Sequence, residues 1–227
     1  MRIPRLSIHL LLFSLLALIS LPGCNGVFSG KTPEGTIDFE ITYPGMSSPP
    51  MGAPDKASYK FKKLSSITEF SGMMGLVKIT YMADGDKKNA QQSLCLVDKK
   101  YVSDLSNDQI NEMNAEFVKS AEAVAGSKEI AGYNCKKAKI TLNDGTVFDA
   151  WYTTELGTDG LNWCNPYHQL KGVMMEFEMR KYGITMKLTA KNVTKDPVSD
   201  NDWKVPDDYK KVGIKEQNKI LEDLAPH

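Results

Sequence analysis

Residues 130–154, IAGYNCKKAKITLNDGTVFDAWYTT, contain the strongest hairpin signal in the chain. Two β-prone runs flank Asn143–Gly145, and an Asp-Gly pair tolerates the positive φ angles that a tight hairpin turn requires. Cys135 lies near the start of the first run, and the pair Trp151-Tyr152 lies near the end of the second. The segment therefore predicts two antiparallel strands joined at Asn143–Gly145.

Alternating apolar and polar residues extend this pattern along the chain in both directions. The clearest alternation covers residues 173–180 and 184–191, where one phase is apolar and the other is charged. Further strands are predicted at residues 35–43, 57–62, 66–73, 77–81 and 91–97, with Tyr101-Val102 extending or following the last of them. Short strands separated by turn signals favour an antiparallel sheet, so the predicted class is mainly β (α+β).

One amphipathic helix is predicted over Ser106–Ala125. Ser106–Gln109 resembles a capping box, and Gly126 suits a helix stop. Apolar residues recur behind the capping box at helical spacing: Ile110, Met113, Phe117, Ala121 and Val124. An amphipathic helix needs an apolar partner, so we expect it to cover the open face of a curved sheet. Residues 213–227 predict a weak C-terminal helix or frayed tail.

The N-terminus has the pattern of an export signal. Arg2 and Arg5 precede the apolar run Leu10–Leu21, which is too short for a permanent membrane helix. The run ends in Leu21-Pro22-Gly23-Cys24, which resembles the cleavage box of bacterial lipoproteins. The resemblance implies that residues 1–23 are a signal peptide, that Cys24 carries the lipid, and that residues 24–33 are a tether. The alternative is an ordinary signal peptide with an incidental cysteine.

A lipid anchor at Cys24 predicts a protein held in the bacterial cell envelope. Asn25 follows Cys24, in place of the aspartate that retains lipoproteins in the inner membrane of some bacteria. This favours the outer membrane, facing the periplasm.

Composition and motifs argue against several functional classes. The chain has 28 basic and 28 acidic residues, and the predicted signal removes only basic ones, so nothing favours nucleic acid as a partner. The sequence lacks C-x-x-C pairs, G-x-S-x-G and a P-loop, and His168 is the only internal histidine of the mature chain. Glu176 and Glu178 share the charged phase of their strand, which is typical of a solvated face. We therefore predict a non-enzyme without metal or cofactor.

Four stretches, in this order, carry a family resemblance: residues 130–138, 151–153, 170–176 and 203–209. They resemble the domain-of-unknown-function 4412 family of exported bacterial proteins over roughly residues 34–212. That family is similar to the lipoprotein-carrier superfamily of LolA and LolB. The resemblance implies a curved antiparallel half-barrel with a covering helix and an apolar concave face that holds acyl chains. It implies no catalytic residues.

The predicted ligand face combines the helix with the two strongly alternating strands. Its expected apolar lining is Met113, Phe117, Met175, Phe177, Met179, Met186 and Leu188. Methionine adapts to irregular partners, which suits either a core or a greasy lining. The sequence thus predicts a non-enzymatic envelope lipoprotein that binds a lipid, a lipidated peptide or another apolar ligand. The alternative is a structural lipoprotein that docks an envelope protein without a ligand cavity.

The cysteines that remain after Cys24 are Cys95, Cys135 and Cys164. Cys135 shares its strand phase with Lys137 and Lys139, so we expect it to point away from the apolar face, toward the loop that carries Cys164. A bridge between Cys135 and Cys164 is the preferred disulfide, worth a few kcal/mol of stability. The alternative pair is Cys95 with Cys135.

Overall fold

The structure is a computed structural model that describes residues 33–50, 53–115, 117–181 and 184–223. The predicted signal, Cys24 and the tether as far as residue 32 lie outside the described residues. No helix within the described ranges is both long and apolar enough to cross a bilayer.

Most of the described chain is β-strand. The strands are β1 (Glu34–Thr42), β2 (Pro54–Lys62), β3 (Ser65–Gly72), β4 (Val77–Asp84), β5 (Asn89–Leu96), β6 (Lys99–Leu105), β7 (Val118–Ile130), β8 (Tyr133–Leu142), β9 (Val147–Thr153), β10 (Val173–Lys181), β11 (Ile184–Thr194) and β12 (Lys210–Lys211). The helices are α1 (Asn107–Ala115) and α2 (Ile214–Glu222), with 3₁₀ turns at Met73–Gly75, Leu161–Cys164 and Asp200–Trp203. This confirms the predicted mainly β class.

All twelve strands belong to one sheet, in the order β12-β6-β5-β4-β3-β2-β1-β11-β10-β9-β8-β7. Two meanders, β1–β6 and β7–β11, are each contiguous in sequence. They join where β1 pairs antiparallel with β11, and only the short β12 pairs in parallel, with β6. The sheet is curved and open.

The length of one connection shows how strongly the sheet curls. β6 and β7 follow each other in the chain but are ten strand positions apart in the sheet. Ten steps would span about 48 Å if the sheet were flat. The link between these strands contains the nine-residue helix α1, about 14 Å long, and only three further residues. Since so short a link cannot span the flat width, the two edges must approach each other, with α1 between them.

The antiparallel order gives the sheet two ends, which we call the mouth rim and the base rim. The mouth rim carries the β1–β2, β3–β4, β5–β6 and β8–β9 connections. The base rim carries the β2–β3, β4–β5 and β7–β8 turns and the long connection 154–172 between β9 and β10. Helix α1 starts at the base rim, after β6, and ends at the mouth rim, where β7 begins.

The hairpin predicted around Asn143–Gly145 is confirmed. β8 and β9 pair antiparallel, and Gly145 has a φ of +85°, which suits glycine. The backbone N–H of Leu142 donates to the carbonyl of Thr146 at 2.8 Å. The N–H of Thr146 donates to the Asp144 carboxylate at 2.9 Å. The Asp side chain therefore fixes the turn that its backbone forms.

The predicted helix Ser106–Ala125 is correct only in its first half. The capping box forms: the N–H of Gln109 donates to Ser106 Oγ at 3.3 Å, and the N–H of Ser106 donates to Gln109 Oε1 at 2.9 Å. However, α1 ends at Ala115, and residues 118–130 form β7.

Two bulges in β7 explain why its sequence resembles a helix. Register shifts lie between Val118 and Ser120 and between Ala123 and Ser127. A bulge adds one residue, so Val118 and Ala121 are both buried although they are three positions apart. Gly126, predicted as a helix stop, has a φ of +140° at the second bulge.

The C-terminal segment forms a strap around one edge of the sheet. After β11 it follows the outer face, where Asp200 accepts from Lys62 at 2.8 Å and Asp202 accepts from Lys60 at 2.9 Å. It then adds β12 beside β6. The stretch predicted as a weak helix or tail is α2, which turns onto the inner face and buries Ile214 and Leu221.

The buried side chains form three clusters. The largest joins β1, β2, β10 and β11 with Leu156 and Leu161 of the 154–172 connection. The second lies under β7–β10 and includes Tyr167 and Leu170 of the same connection. The third lies between β4–β6 and both α helices, around Ile110 and Ile214. The 154–172 connection therefore packs into the concave face and fills much of it.

Candidate functional site

A cavity of 160 Å³ remains between the inner face of the sheet, α1 and the 154–172 connection. Its walls are largely aromatic and aliphatic. They comprise Phe39, Tyr59, Ser66, Thr68, Phe70, Tyr81, Met82, Ala83, Ala90, Leu105, Ile110, Met113, Asn114, Phe117, Asn162, Cys164, Asn165, Pro166, Tyr167, Met174, Phe177, Met179, Arg180, Lys181 and Leu188. The volume resembles that of an engineered cavity of about 150 Å³ that admits benzene, so it suits one ring or part of one acyl chain.

The strand register places these side chains on the same wall. Thr68 of β3 lies opposite Tyr81 of β4, and Phe177 of β10 lies opposite Leu188 of β11. Residues directly opposite in antiparallel strands point to the same face. Alternation of apolar residues along the strands therefore produces a continuous apolar wall.

Phe177 is at the centre of this wall. Its ring makes edge-to-face contacts with Phe39 at 5.7 Å and with Tyr167 at 5.5 Å between ring centroids. Such geometry aligns the positive edge of one ring with the negative face of another. The hydroxyl of Tyr167 donates to the backbone carbonyl of Glu178, and burial raises the pKa of Tyr167. This tyrosine therefore joins the covering connection to β10.

The structure brings together five of the seven residues predicted to line a ligand site: Met113, Phe117, Phe177, Met179 and Leu188 all contact the cavity. Met175 and Met186 do not line it and are buried in the largest cluster. Met175 is the extra residue at a register shift between Met174 and Glu176, which removes it from the regular alternation. A role for the five in ligand binding stays a prediction.

Sequence patterns did not predict that residues of the 154–172 connection would line the cavity. Asn162 is buried, and its side-chain amide donates to the carbonyls of Leu170 at 3.0 Å and Gly172 at 2.9 Å. Its Oδ1 accepts from Asn165 at 2.9 Å. These bonds fold the connection inward over the sheet. An isolated Asn between glycines reads as a turn residue, so sequence alone carries no sign of this role.

A small polar group lies in the same wall. Ser66, Tyr59 and Cys164 interact with one another there. Burial raises the pKa of Tyr59, and burial also raises the pKa of Cys164 to about 11. Both groups are therefore protonated at neutral pH, and a protonated thiol is a poor nucleophile.

The predicted disulfide between Cys135 and Cys164 is absent, and so is the alternative with Cys95, because all three are free thiols. Cys135 is buried in the largest cluster, whereas Cys164 packs against the cluster around Ile110 and Ile214. Burial raises the pKa of Cys135 to about 11. Cys135 nevertheless shares its cluster with Leu156 and Leu161 of the connection that carries Cys164, so its expected direction toward that loop stays a prediction.

Two cations lie where the cavity approaches the mouth rim. Arg180 and Lys181 end β10, and Arg180 is exposed. Arg180 Nη1 donates to the Asp144 carboxylate at 2.8 Å, which holds the pKa of Asp144 at about 2. The neighbouring Asn143 donates its side-chain amide to the carbonyl of Ala115, at the end of α1. The β8–β9 turn thus connects α1 with the end of β10.

Exposed apolar side chains concentrate at the mouth rim. Among the described residues, eight large apolar side chains are exposed, and six of them belong to this rim: Met46, Met73, Met74, Leu76, Val97 and Val147. Met74 is 94% exposed. The N–H of Val97 donates to the carbonyl of Leu76 at 2.8 Å, which holds two of the turns together. The rim therefore presents apolar side chains to solvent, although none of these six lines the cavity.

Other features give no sign of chemistry. In the described ranges, no group of three or more His, Cys, Asp or Glu residues is placed to hold a metal. His168 is exposed in a turn. A larger groove of 610 Å³ at the base rim is lined mainly by charged and polar residues, including Lys62, Asp84 and Asp104. Such a lining suits water better than an apolar ligand.

Solved structures show a distant likeness in fold. A crystal structure of PNGF-II in a C2 space group is 14% identical over 84% of this chain, with a TM-score of 0.56. This chain covers 33% of PNGF-II, so it spans about a third of that protein, and the likeness concerns the fold alone.

Two complexes match more loosely. MucB with MucA(peri) is 11% identical over 79% of this chain and 56% of MucB, with a TM-score of 0.34. The MucA/MucB complex of Pseudomonas aeruginosa is 10% identical over 76% and 56%, with a TM-score of 0.33. Scores this low support no inference about function.

The family of the chain is shown by its sequence. No curated protein matches the chain. A family model described as "Domain of unknown function (DUF4412)" matches residues 34–163, which is more than half of the chain. The match includes β1–β9, α1 and most of the residues that line the cavity. The chain therefore belongs to the DUF4412 family.

Proposed function

We propose that this protein is a non-enzymatic envelope lipoprotein that binds a lipid, a lipidated peptide or another apolar ligand on the inner face of its curved sheet. The observation that carries the proposal is the 160 Å³ apolar cavity beneath α1. Ligand sites are typically concave, mostly apolar and provided with a few polar groups. The resemblance to the LolA/LolB half-barrel, with α1 as its covering helix, agrees with this role.

The size of the cavity limits what it holds. The 154–172 connection occupies much of the concave face, so the remaining space suits part of a single chain. A carrier that encloses several acyl chains would need this connection or α1 to move outward. We therefore expect one chain per protein.

Binding is tested with a neutral fluorescent probe, phenylnaphthylamine, and with native mass spectrometry of protein purified from membranes. Wild type should bind the probe and carry a lipid that organic solvent extracts. Thr68→Phe places a ring in the cavity and should reduce probe binding at least about tenfold. Met74→Lys, at an exposed site outside the cavity, is the control. Protein without lipid, together with equal probe binding by Thr68→Phe, would contradict the proposal.

The anchor is a separate part of the proposal. Cys24 would be lipidated after removal of residues 1–23, and residues 24–33 would tether the sheet to the outer membrane, facing the periplasm. Wild type should incorporate labelled palmitate and fractionate with outer membranes, whereas Cys24→Ser should do neither. Labelling that survives in Cys24→Ser would exclude this site.

The second candidate function is docking of an envelope protein partner. The exposed apolar turns of the mouth rim favour it, because large apolar patches on soluble domains often mark interaction sites. A photo-crosslinking residue at Met74 should then give one discrete adduct in cells, and the same residue at Leu64 of the base rim should give none. Equal adducts from both positions would contradict docking through the mouth rim.

A further inference from the structure

The charged residues that line the cavity have a single sign. Of the described residues that line it, only Arg180 and Lys181 are charged, and the lining contains no Asp, Glu or His. Both cations lie at the end of β10. Two carboxylates lie just outside the lining: Asp144 pairs with Arg180 at 2.8 Å, and Glu178 of β10 interacts electrostatically with Arg180 and Tyr167.

Polarity changes sharply along β10. Phe177 and Met179 belong to the apolar wall, and Arg180 and Lys181 follow within two residues. A strand rises about 3.3 Å per residue, so the apolar wall and the cations are within about 10 Å of each other. A molecule with its tail against Phe177 would place its head group beside these cations.

Arg180 has donors to share with a ligand. Its guanidinium carries five N–H donors. Within the described residues, it donates to Asp144 at 2.8 Å and to Thr185 Oγ1 at 3.4 Å. Asp144 is an exposed turn residue, whereas Thr185 is a half-buried residue of β11. Asp144 also accepts a hydrogen bond from the Thr146 N–H at 2.9 Å. An anion could therefore bind Arg180 beside Asp144 or in its place, because the turn does not depend on Arg180.

We propose that the cavity takes a single-chain amphiphile with an anionic head group, a carboxylate or a phosphate, and that the head binds Arg180 and Lys181. This proposal rests on the proposed function, since it requires the apolar cavity to hold the tail. Charge-assisted hydrogen bonds to arginine are stronger than neutral ones and are often bidentate with carboxylates and phosphates.

The test compares three ligands that share one ten-carbon chain: decanoate, decyl phosphate and decanol. Each displaces phenylnaphthylamine from wild type, from the double variant Arg180→Gln/Lys181→Gln, and from Lys56→Gln/Lys99→Gln. The last variant removes two exposed lysines outside the cavity and is the control for net charge. The neutral probe shows whether each variant still has an apolar site.

Wild type and the control variant should bind at least one of the anions about tenfold more tightly than decanol. The double variant should lose this preference and keep its affinity for decanol and for the probe. Comparison of decanoate with decyl phosphate then identifies the head group. Equal binding of all three ligands by wild type, or a preference that survives in the double variant, would overturn the inference. Failure of every compound, the probe included, would overturn the proposed function and this inference with it.

Discussion

The two rims of the sheet differ in how they treat apolar side chains. At the base rim, the 154–172 connection folds inward, and buried Asn162 fixes it through side-chain hydrogen bonds. At the mouth rim, Met74 and Val97 extend into solvent from short turns. Each unburied side chain of this size forfeits about 1.5–3 kcal/mol of burial. The difference indicates that packing at the base rim stabilises the fold, while the mouth rim leaves apolar side chains exposed to solvent.

The largest expected effect is at the base rim. Asn162→Ala leaves the carbonyls of Leu170 and Gly172 without their donors inside the protein. The free energy of unfolding should fall by about 3 kcal/mol. Urea titration at neutral pH measures it, with exposed Asn192→Ala as the control, expected to change stability by less than about 0.5 kcal/mol. A loss below about 1 kcal/mol for Asn162→Ala would mean that the Asn162 hydrogen bonds at the base rim do not stabilise the fold.

The second prediction concerns an ion-pair network between the two rims. Its loss should reduce the free energy of unfolding by a smaller amount, and this reduction should depend on pH. Glu176 binds Lys128 at 2.9 Å and Lys187 at 3.0 Å. Burial alone would raise the pKa of Glu176, but the two lysines outweigh burial and lower it. Glu176→Gln should therefore cost about 2 kcal/mol at neutral pH.

The sign of the pH dependence follows from this lowered pKa. The stabilisation by Glu176 is complete above the unfolded-state pKa, about 4.3, and is lost as the pH falls through the lower folded-state pKa. Stabilities of wild type and Glu176→Gln should therefore converge in acid. Glu40→Gln, which breaks a more exposed pair with Lys191, is the control. A difference that stays constant from neutral to acid pH would contradict this assignment.

A mouth-rim turn should gain stability when its apolar residue is removed. Val97 has a φ of +55°, a conformation that costs β-branched residues about 1–2 kcal/mol. Val97→Asn should stabilise the protein by about 1 kcal/mol, since Asn tolerates this conformation. Lys63→Asn, at a φ of +55° on the base rim, should gain less because Lys is not β-branched. Thermal unfolding measures both, and destabilisation by Val97→Asn would show that this side chain supports the fold.

The smallest expected effect on stability is at Met74. Met74→Lys should change the free energy of unfolding by less than about 0.5 kcal/mol, because the side chain is almost fully exposed. Retention on a phenyl column should nevertheless decrease. Leu64→Lys, at the base rim, should reduce retention less. Unchanged retention for Met74→Lys would remove the mouth rim as an apolar surface.

The sequence predicted the structure correctly where strand alternation or turn chemistry alone determines the local conformation. Alternation in β10 and β11 predicted the wall of the cavity, and Asp144-Gly145 predicted the hairpin. Local periodicity failed at residues 118–125, where bulges give β7 the spacing of a helix. It also failed for Met175, which a register shift removes from the alternation.

Other parts of the site depend on contacts between distant residues. The inward folding of residues 154–172 and the meeting of Arg180 with Asp144 arise from tertiary structure. No local pattern encodes such contacts. Whether Cys135 meets another thiol is likewise decided by packing, because its neighbours come from separate parts of the chain.

The pairing of β1 with β11 has a consequence for how the chain reaches its folded state. Within each meander, neighbouring strands follow one another in sequence and can pair early, because their loop-closure entropy is small. The pairing of β1 with β11 brings Thr36 opposite Thr194, which is almost the full length of the domain away in sequence. Non-local pairing of this kind slows folding. Until β11 arrives, β1 has an open edge that can pair with another chain, so a protein that stops before residue 184 should aggregate rather than fold.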